Sequence, residues 1–326
     1  MSSGDTTLRN VESPRKNVAL SVLFKAPSTE EAQACWELCR LHNNIGFWVV
    51  WLPTAWSIAM AYNAQRDIAA INALQTALLY VPLCFGMKSL IMTVDDILDR
   101  DIDLLVERTK NRPLPRGSIS PERAWLFFSA QLSIGMVLAI QYLDKTSLQI
   151  AILIFPIYII YPTCKRWTNL APIPLGFMFN VGVFMGWSYL SAHTVPWHVL
   201  LPVYLGACLW TFTYETIYQH QDKVDDVKIG LYSPALLLGS WTIPICACTG
   251  LLFFIMVTYS GFLNNQGIAF FVGVAYAGSV LFRKLRNTNI DIPEDCKQFF
   301  LLNVKVGQII LGALVIDSVY NRFSRP

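Results

Sequence analysis

Charge is scarce in this chain. Asp, Glu, Lys and Arg make up 14% of its 326 residues, 54% are hydrophobic and the mean hydropathy is +0.43. Soluble domains carry about 25% charged residues, so the deficit excludes an ordinary water-soluble domain and points to a membrane protein. No basic run with interleaved aromatics is present, which argues against nucleic acid as a partner. Histidine is rare, and His42, His193 and His220 form no triad or ligand spacing; His220, beside an acidic stretch, is a candidate base. The eight cysteines are scattered. Cys246 and Cys248 form a CxC, but no second pair with histidines completes a zinc site, so small buried thiols are expected. No secretory signal pattern opens the chain, and Asp5, Glu12, Glu30 and Glu31 depart from the acid-poor composition of a mitochondrial presequence. Residues 1–35 read as a loose polar tail, and 36–326 as one membrane domain.

What is abundant is apolar sequence in long runs. Spans are expected at 45–61, 70–93, 121–142, 147–161, 170–192, 197–218, 236–260, 266–282 and 299–319. Most approach the ~20 residues that a membrane-crossing helix needs. The fold class is therefore all-α: a multi-pass membrane bundle of about nine helices. With nine spans, alternate loops hold 19 and 4 Lys or Arg, Arg123 being counted with the loop it adjoins. By the positive-inside rule the N-terminus is cytosolic.

The remaining charge is concentrated in two places. The first, Asp95 to Ser120, holds Asp95, Asp96, Asp99, Asp101 and Asp103, then Arg108, Lys110, Arg112 and Arg116. As a helix, Asp95, Asp96, Asp99 and Asp103 share one face, where like charges repel unless a cation sits against them. Oxygen-only ligands suit a hard cation such as Mg²⁺, which is held by a few carboxylates plus phosphate oxygens. The basic cluster is what the phosphate would need. The second stretch, Tyr214 to Ser233, places Glu215, Asp222 and Asp226 on one helical face, with Asp225 beside them. Both stretches fall in cytosolic loops, after the second and sixth spans, and could grip one Mg²⁺–diphosphate. The bland alternative is a pair of solvated interhelical loops.

These residues resemble the UbiA-type integral-membrane prenyltransferases. The first family motif stands here as Asp95-Asp96-x-x-Asp99-x-x-x-Asp103, followed by Arg108-Thr109-x-x-Arg112-Pro113-Leu114-Pro115-x-Gly117-x-Ile119-Ser120. The second runs from Tyr214-Glu215-Thr216-Ile217-Tyr218 through Asp222, Asp225, Asp226, Gly230 and Ser233. Tyr161-Pro162-x-x-Lys165-Arg166, Asn180 and Arg40 are similar to further family positions, and the likeness covers roughly residues 36–320. Asp95, Glu215 and Tyr232 replace the usual Asn, Asp and Lys. The last change removes a cation, so no phosphate-binding role carries over there.

The resemblance implies a bundle around a central cavity and Mg²⁺-dependent transfer of a prenyl chain from an allylic diphosphate. Asp96, Asp99 and Asp103 would hold one Mg²⁺, Asp222 and Asp226 another, with Asp95 and Asp225 auxiliary. Arg112, Lys165 and Arg166 are the expected diphosphate donors, and Arg108 and Lys110 are further candidates. Phe179, Trp187, Trp210, Tyr214 and Tyr218 could shield an allylic cation, and Asn180 could touch either substrate. Gly182 and Gly186 read as helix-contact residues. The motif variants and the C-terminal sequence look most like the 4-hydroxybenzoate branch, particularly fungal members that prenylate phenolic polyketides in meroterpenoid synthesis. Farnesyl is the expected chain and an endomembrane the expected location. A 4-hydroxybenzoate polyprenyltransferase of the mitochondrial inner membrane is the alternative. A membrane terpene cyclase and an ion-using transporter are rivals from other classes.

Overall fold

The computed structural model describes residues 26–191 and 194–324, and among these every regular element is helical. Helix α1 (Thr29–Leu38) is followed by α2 (Ile45–Ala64), α3 (Ala70–Leu98), the single turn α4 (Arg100–Asp103), α5 (Pro121–Tyr142) and α6 (Lys145–Ile160). A 3-10 segment, Tyr161–Arg166, leads to α7 (Pro172–Phe179), α8 (Gly182–Leu190) and α9 (Trp197–Tyr218). Then come α10 (Lys223–Ile229), α11 (Pro234–Leu238), α12 (Thr242–Leu263), α13 (Ile268–Arg286) and α14 (Pro293–Ser324).

Eight helical stretches among the described residues are long and apolar enough to cross a bilayer. They coincide with eight of the nine expected spans; α7 and α8 together form one of them. The ninth expected span is α9, a 22-residue helix of sufficient length. Its Thr, Tyr and Glu215 make it less apolar, because much of its surface is packed inside the bundle rather than against lipid. The chain is thus a multi-pass integral membrane protein. Pro53, Pro82, Pro156 and Pro202 lie inside α2, α3, α6 and α9. Such breaks are tolerated where neighbouring helices satisfy the freed carbonyls.

The expected loose tail falls mostly outside the described residues, but its last part is helical. Ser28 caps α1 through a reciprocal capping box, Glu31 N–H donating to Ser28 Oγ (3.1 Å) and Ser28 N–H to Glu31 Oε2 (3.0 Å). Ala34 and Leu38 of α1 join Ile97, Leu114, Ile119 and Ala124 in a small apolar cluster that binds α1 to the loop carrying the first motif.

The main core runs from α2 to α14. Trp210 stacks on Phe253 at 5.7 Å. The indole of Trp56 donates to Gly307 O (3.0 Å) and that of Trp210 to Asn303 Oδ1 (2.7 Å), so these buried N–H groups are satisfied inside the bundle. Gly182 and Gly186 face α2, as expected of helix-contact residues. A Cβ on Gly186 would stand 2.6 Å from Thr54 O and Ser57 Oγ. By contrast α5 and α6 present Ile134, Ile152 and Leu153 outward, 62–79% exposed, as lipid-facing helices must. Helices α3 and α9 end at the same end of the bundle, bringing the two acidic stretches together.

Candidate active site

The first acidic stretch straddles a helix break. α3 stops at Leu98 and Asp99 has φ −89°, ψ 7°, yet Asp99 N–H still bonds Asp95 O (2.8 Å) and Asp103 N–H bonds Asp99 O (2.7 Å). Helical register survives the break, so the expected shared face holds. Asp95, Asp96, Asp99 and Asp103 are all buried.

Burial makes unpaired carboxylates expensive, and cations meet most of them. Arg112 Nη1 donates to both Asp96 Oδ1 (3.1 Å) and Asp103 Oδ2 (2.8 Å). Lys165 Nζ reaches Asp99 Oδ2 (3.3 Å). Lys165 comes from the 3-10 segment, whose backbone is held when Tyr232 N–H donates to Lys165 O (2.9 Å). Tyr232, itself without a cation, contributes this backbone tie from the second acidic stretch.

The second stretch departs from a single helical face. α9 ends at Tyr218, a 3-10 turn covers Gln219–Asp222, and Asp226 lies on the separate helix α10. Tightening at this turn sends His220 inward against α12, its Nε2 3.0 Å from Thr242 Oγ1. His220 therefore packs away from the carboxylates; burial and then Lys223 push its pKa down to about 4. Asp222 turns to Arg108, which grips it with Nε and Nη2 at 2.8 and 2.5 Å. The Arg108 guanidinium also lies 5.7 Å from the ring centre of Tyr218. Asp225 accepts from Glu107 N–H (3.3 Å) and from Lys228 (3.2 Å), so the two stretches are joined twice.

Other expected site residues lie farther out. Arg166 pairs with exposed Asp101 (2.7 and 3.0 Å) and bonds Leu98 O. Lys110 pairs with Glu107 (2.6 Å) at the surface. Tyr214 is fully buried, its hydroxyl donating to Thr211 Oγ1 (3.2 Å), and packs edge-on against Trp210 and Phe300. Asn180 Nδ2 donates to Gly176 O and Thr211 Oγ1, which ties α7 to α9, and its buried Oδ1 has no partner among the described residues. Trp187 is a correction: it sits toward the opposite end of the bundle, beside Asn264 and Asn321, because α8 runs away from the motifs.

Two cations were absent from the expected site. Arg40 Nη2 donates to Asp96 Oδ1 (2.8 Å), and its own backbone has φ +48°, unusual for a side-chain-bearing residue. Lys88, fully inside α3, sends Nζ to Cys39 O (2.8 Å) and Arg40 O (2.7 Å), closing the C-terminus of α1. The readable signal was Lys88 itself: a charge within an apolar span costs about 2.5–3.5 kcal/mol on insertion scales and calls for a partner.

The carboxylates differ in proton affinity. Burial first, offset by Lys165, raises Asp99 to about 7. Burial and then the Asp222 charge raise Asp226 to about 6. Burial also raises Asp103, against the pull of Arg112. For Asp222 burial is outweighed by Arg108, which holds it below the usual range. Raised carboxyl values mean that the folded state binds extra protons between pH ~4 and ~7, so stability falls as pH rises through that window. His220 acts oppositely there, one imidazole against three carboxyls; the depressed Asp222 matters only below pH ~4. In chelator, the melting midpoint should therefore fall between pH 5 and 8, and Asp99→Asn should flatten the slope. A midpoint that rises across this range would contradict the assignment.

Among the described residues no three His, Cys, Asp or Glu side chains converge into a ready-made metal cage, since Arg and Lys stand between the carboxylates. The site nonetheless fits a hard cation. Asp99 is 1% exposed and its Oδ1 accepts no hydrogen bond from the described residues, and the available donors are carboxylate oxygens.

The UbiA prenyltransferase family matches residues 50–306. The chain is 34% identical over 288 residues to a mitochondrial 4-hydroxybenzoate polyprenyltransferase of Aedes aegypti, covering 88% of this chain and 64% of that protein. It is 33% identical over 289 residues to the protein of the same name from Schizosaccharomyces pombe, covering 88% and 80%. Among solved structures, a UbiA homologue from Aeropyrum pernix superposes with a TM-score of 0.68 at 25% identity, over 83% of this chain and 97% of that one. A homologue from Archaeoglobus fulgidus, bound to GPP and Mg²⁺, gives 0.60 at 17% identity, over 86% and 99%.

Proposed function

The chain belongs to the UbiA prenyltransferase family, and from that premise we propose that it transfers a prenyl group from an allylic diphosphate to a ring carbon of a phenolic acceptor. One observation carries the reading: two acidic stretches more than 100 residues apart meet at one end of the bundle, with Arg108, Arg112 and Lys165 threaded between their carboxylates. Bound Mg²⁺, which the A. fulgidus homologue holds with its prenyl diphosphate, would supply positive charge to the departing diphosphate. Asp96, Asp99 and Asp103 on one side, and Asp222 and Asp226 on the other, are the residues to hold it, with Asp95 and Asp225 auxiliary.

Arg112, Lys165 and Arg108 then have a second role. Guanidinium and ammonium groups that neutralise carboxylates can redirect their hydrogen bonds to diphosphate oxygens, leaving those carboxylates available to hold the metal. Breaking the allylic C–O bond leaves the electron pair on diphosphate and a cation on carbon. The faces of Tyr214 and Tyr218 are the candidate shield. A π pair of the phenol ring closes the new C–C bond, and the ring carbon loses its proton. Arg166 and Lys110, held at the rim by Asp101 and Glu107, serve the entry of the anion rather than the leaving step.

Two acceptors divide this reading. The motif variants Asp95, Glu215 and Tyr232, with the C-terminal sequence, support a phenolic polyketide and meroterpenoid synthesis; a farnesyl donor follows the commonest use in the family, and the acids among the first 31 residues favour an endomembrane. The names of the relatives support 4-hydroxybenzoate and a mitochondrial membrane. Residues 36–326 act as one catalytic domain in either case.

Membranes carrying the chain, given farnesyl or geranylgeranyl diphosphate, phenolic acids and Mg²⁺ or EDTA, test this by product mass. An EDTA-sensitive C-prenylated phenol is expected, and the ring accepted chooses between the two acceptors. A cyclised hydrocarbon without an adduct, or no consumption of diphosphate, would overturn the proposal.

A further inference from the structure

Most acids of the site already have a cation. Asp96 accepts from Arg40, Asp103 from Arg112, Asp99 from Lys165 and Asp222 from Arg108. Glu215 is different. Among the described residues nothing donates to its carboxylate and no cation stands within ion-pair distance of it. The residue is half-buried, and its oxygens open onto free space, unlike the sealed polar atoms of Asn180 and Trp187. A carboxylate drawn partly out of water is costly until something donates to it. This one is both in need of a donor and able to reach one on a bound molecule.

Its place in the fold says which molecule that is. Glu215 lies near the end of α9, and the 3-10 turn Gln219–Asp222 follows. From the rise of the two helix types, Glu215 stands roughly 10 Å from Asp222 along this segment, on the bilayer side of it. Tyr218, three residues on, shares its face, with the Arg108 guanidinium 5.7 Å from the ring centre. Lys165, Asp95, Arg40 and Arg108 are all within electrostatic range of Glu215. It therefore looks onto the space where α3, the turn after α1, the loop after α4 and the 3-10 segment Tyr161–Arg166 converge. Asp95 also lacks a described donor, but it shares the α3 face of the acids assigned to the metal.

We propose that Glu215 anchors the acceptor: the phenol hydroxyl donates to its carboxylate, which sets the ring deeper than the diphosphate and beside Tyr218. The inference rests on the transfer reaction proposed above. Of the molecules in that reaction, the diphosphate presents acceptors at neutral pH, the prenyl chain presents no polar group, and the phenol presents a donor. A hydrogen bond to an ionised acceptor is about twice as strong as a neutral one, and it raises the electron density of the ring that attacks the allylic carbon. Like charges repel, so an acceptor acid is held with its own carboxylate turned away from Glu215. The anchor selects phenols over their ethers, which have no proton to give.

The test uses the full chain in detergent with farnesyl diphosphate, Mg²⁺ and either 4-hydroxybenzoate or orsellinic acid, for wild type, Glu215→Gln and Glu215→Asp. Glutamine keeps the shape and removes the charge. It should raise the KM of the accepted phenol on the order of tenfold, the effect of one charge-assisted hydrogen bond, while the KM of the diphosphate and the half-saturating Mg²⁺ stay unchanged. Aspartate retains a carboxylate and should recover part of the loss. The ether of the accepted phenol, methylated at its ring hydroxyls, should inhibit Glu215→Gln no more weakly than wild type. If the glutamine variant folds poorly, wild type alone decides: with Mg²⁺ and inorganic diphosphate present, it should bind the phenol about tenfold more tightly than the ether. Equal binding of the two, or an unchanged phenol KM in Glu215→Gln, would overturn the anchor. A change confined to the half-saturating Mg²⁺ would also overturn it, since Glu215 would then hold the metal. Wild type that transfers to neither phenol would overturn the reaction itself and this inference with it, a result distinct from a wild type that transfers and a variant that matches it.

Discussion

Asp96→Ala should reduce prenyl transfer by roughly 10²–10³-fold, the loss typical when one group is removed from a charge-stabilising site. Asp96 is the carboxylate on which the site converges: Arg40 and Arg112 both donate to its Oδ1, and Arg112 passes on to Asp103. Its removal takes away a proposed metal ligand and leaves two guanidinium groups facing each other without a shared anion. Breaking a fully buried pair costs about 3–5 kcal/mol. Here Arg40 and Arg112 keep 27% and 20% side-chain exposure, so solvent relieves part of that and about 1–3 kcal/mol of stability is expected to go. Steady-state rates across a Mg²⁺ titration, with melting in detergent alongside, measure both effects. A variant that reaches wild-type rates once Mg²⁺ is saturating would remove Asp96 from the site.

Lys88→Met should lower transfer about 10- to 100-fold although Lys88 contacts none of the carboxylates. Its ammonium bonds Cys39 O and Arg40 O. Arg40 holds a left-handed backbone, φ +48°, which costs about 1–2 kcal/mol for a side-chain-bearing residue and persists only where its surroundings enforce it. Methionine fills the space but donates nothing. The turn should relax, Arg40 should leave Asp96, and the KM for the diphosphate should rise more than kcat falls. Lys88→Arg retains donors and should recover much of the loss. If Lys88→Met lowers the melting midpoint while leaving KM unchanged, the lysine serves folding alone.

Much of this molecule was legible in one dimension. Long apolar runs forced membrane helices, since a backbone in lipid must satisfy its own hydrogen bonds, and the spans 45–61 through 299–319 correspond to the helices observed. Spacing also placed Asp95, Asp96, Asp99 and Asp103 on one side, because a break at Asp99 that keeps i to i+4 hydrogen bonds does not alter register. The second stretch was less legible. A 3-10 turn at Gln219–Asp222 breaks its helical period and sets His220 against Thr242 of another helix, a contact that local spacing does not carry.

Composition and spacing thus determined a multi-pass helical protein with two acidic ends suited to a metal–diphosphate, and the motif residues carried its family. Only the tertiary structure decided which cation meets which acid: Arg108 with Asp222, Arg112 with Asp96 and Asp103, Lys165 with Asp99, Arg40 with Asp96. It also sent Trp187 to the far end of the bundle and Lys88 to the end of α1. The reason is range: hydropathy and helical period act over a few turns of one chain segment, whereas Arg40–Asp96, Lys165–Asp99 and Arg108–Asp222, 56–114 residues apart, meet only once the packing of whole helices has set the distance between them, and Arg112 reaches Asp96 and Asp103 only through the fold of the loop after α4.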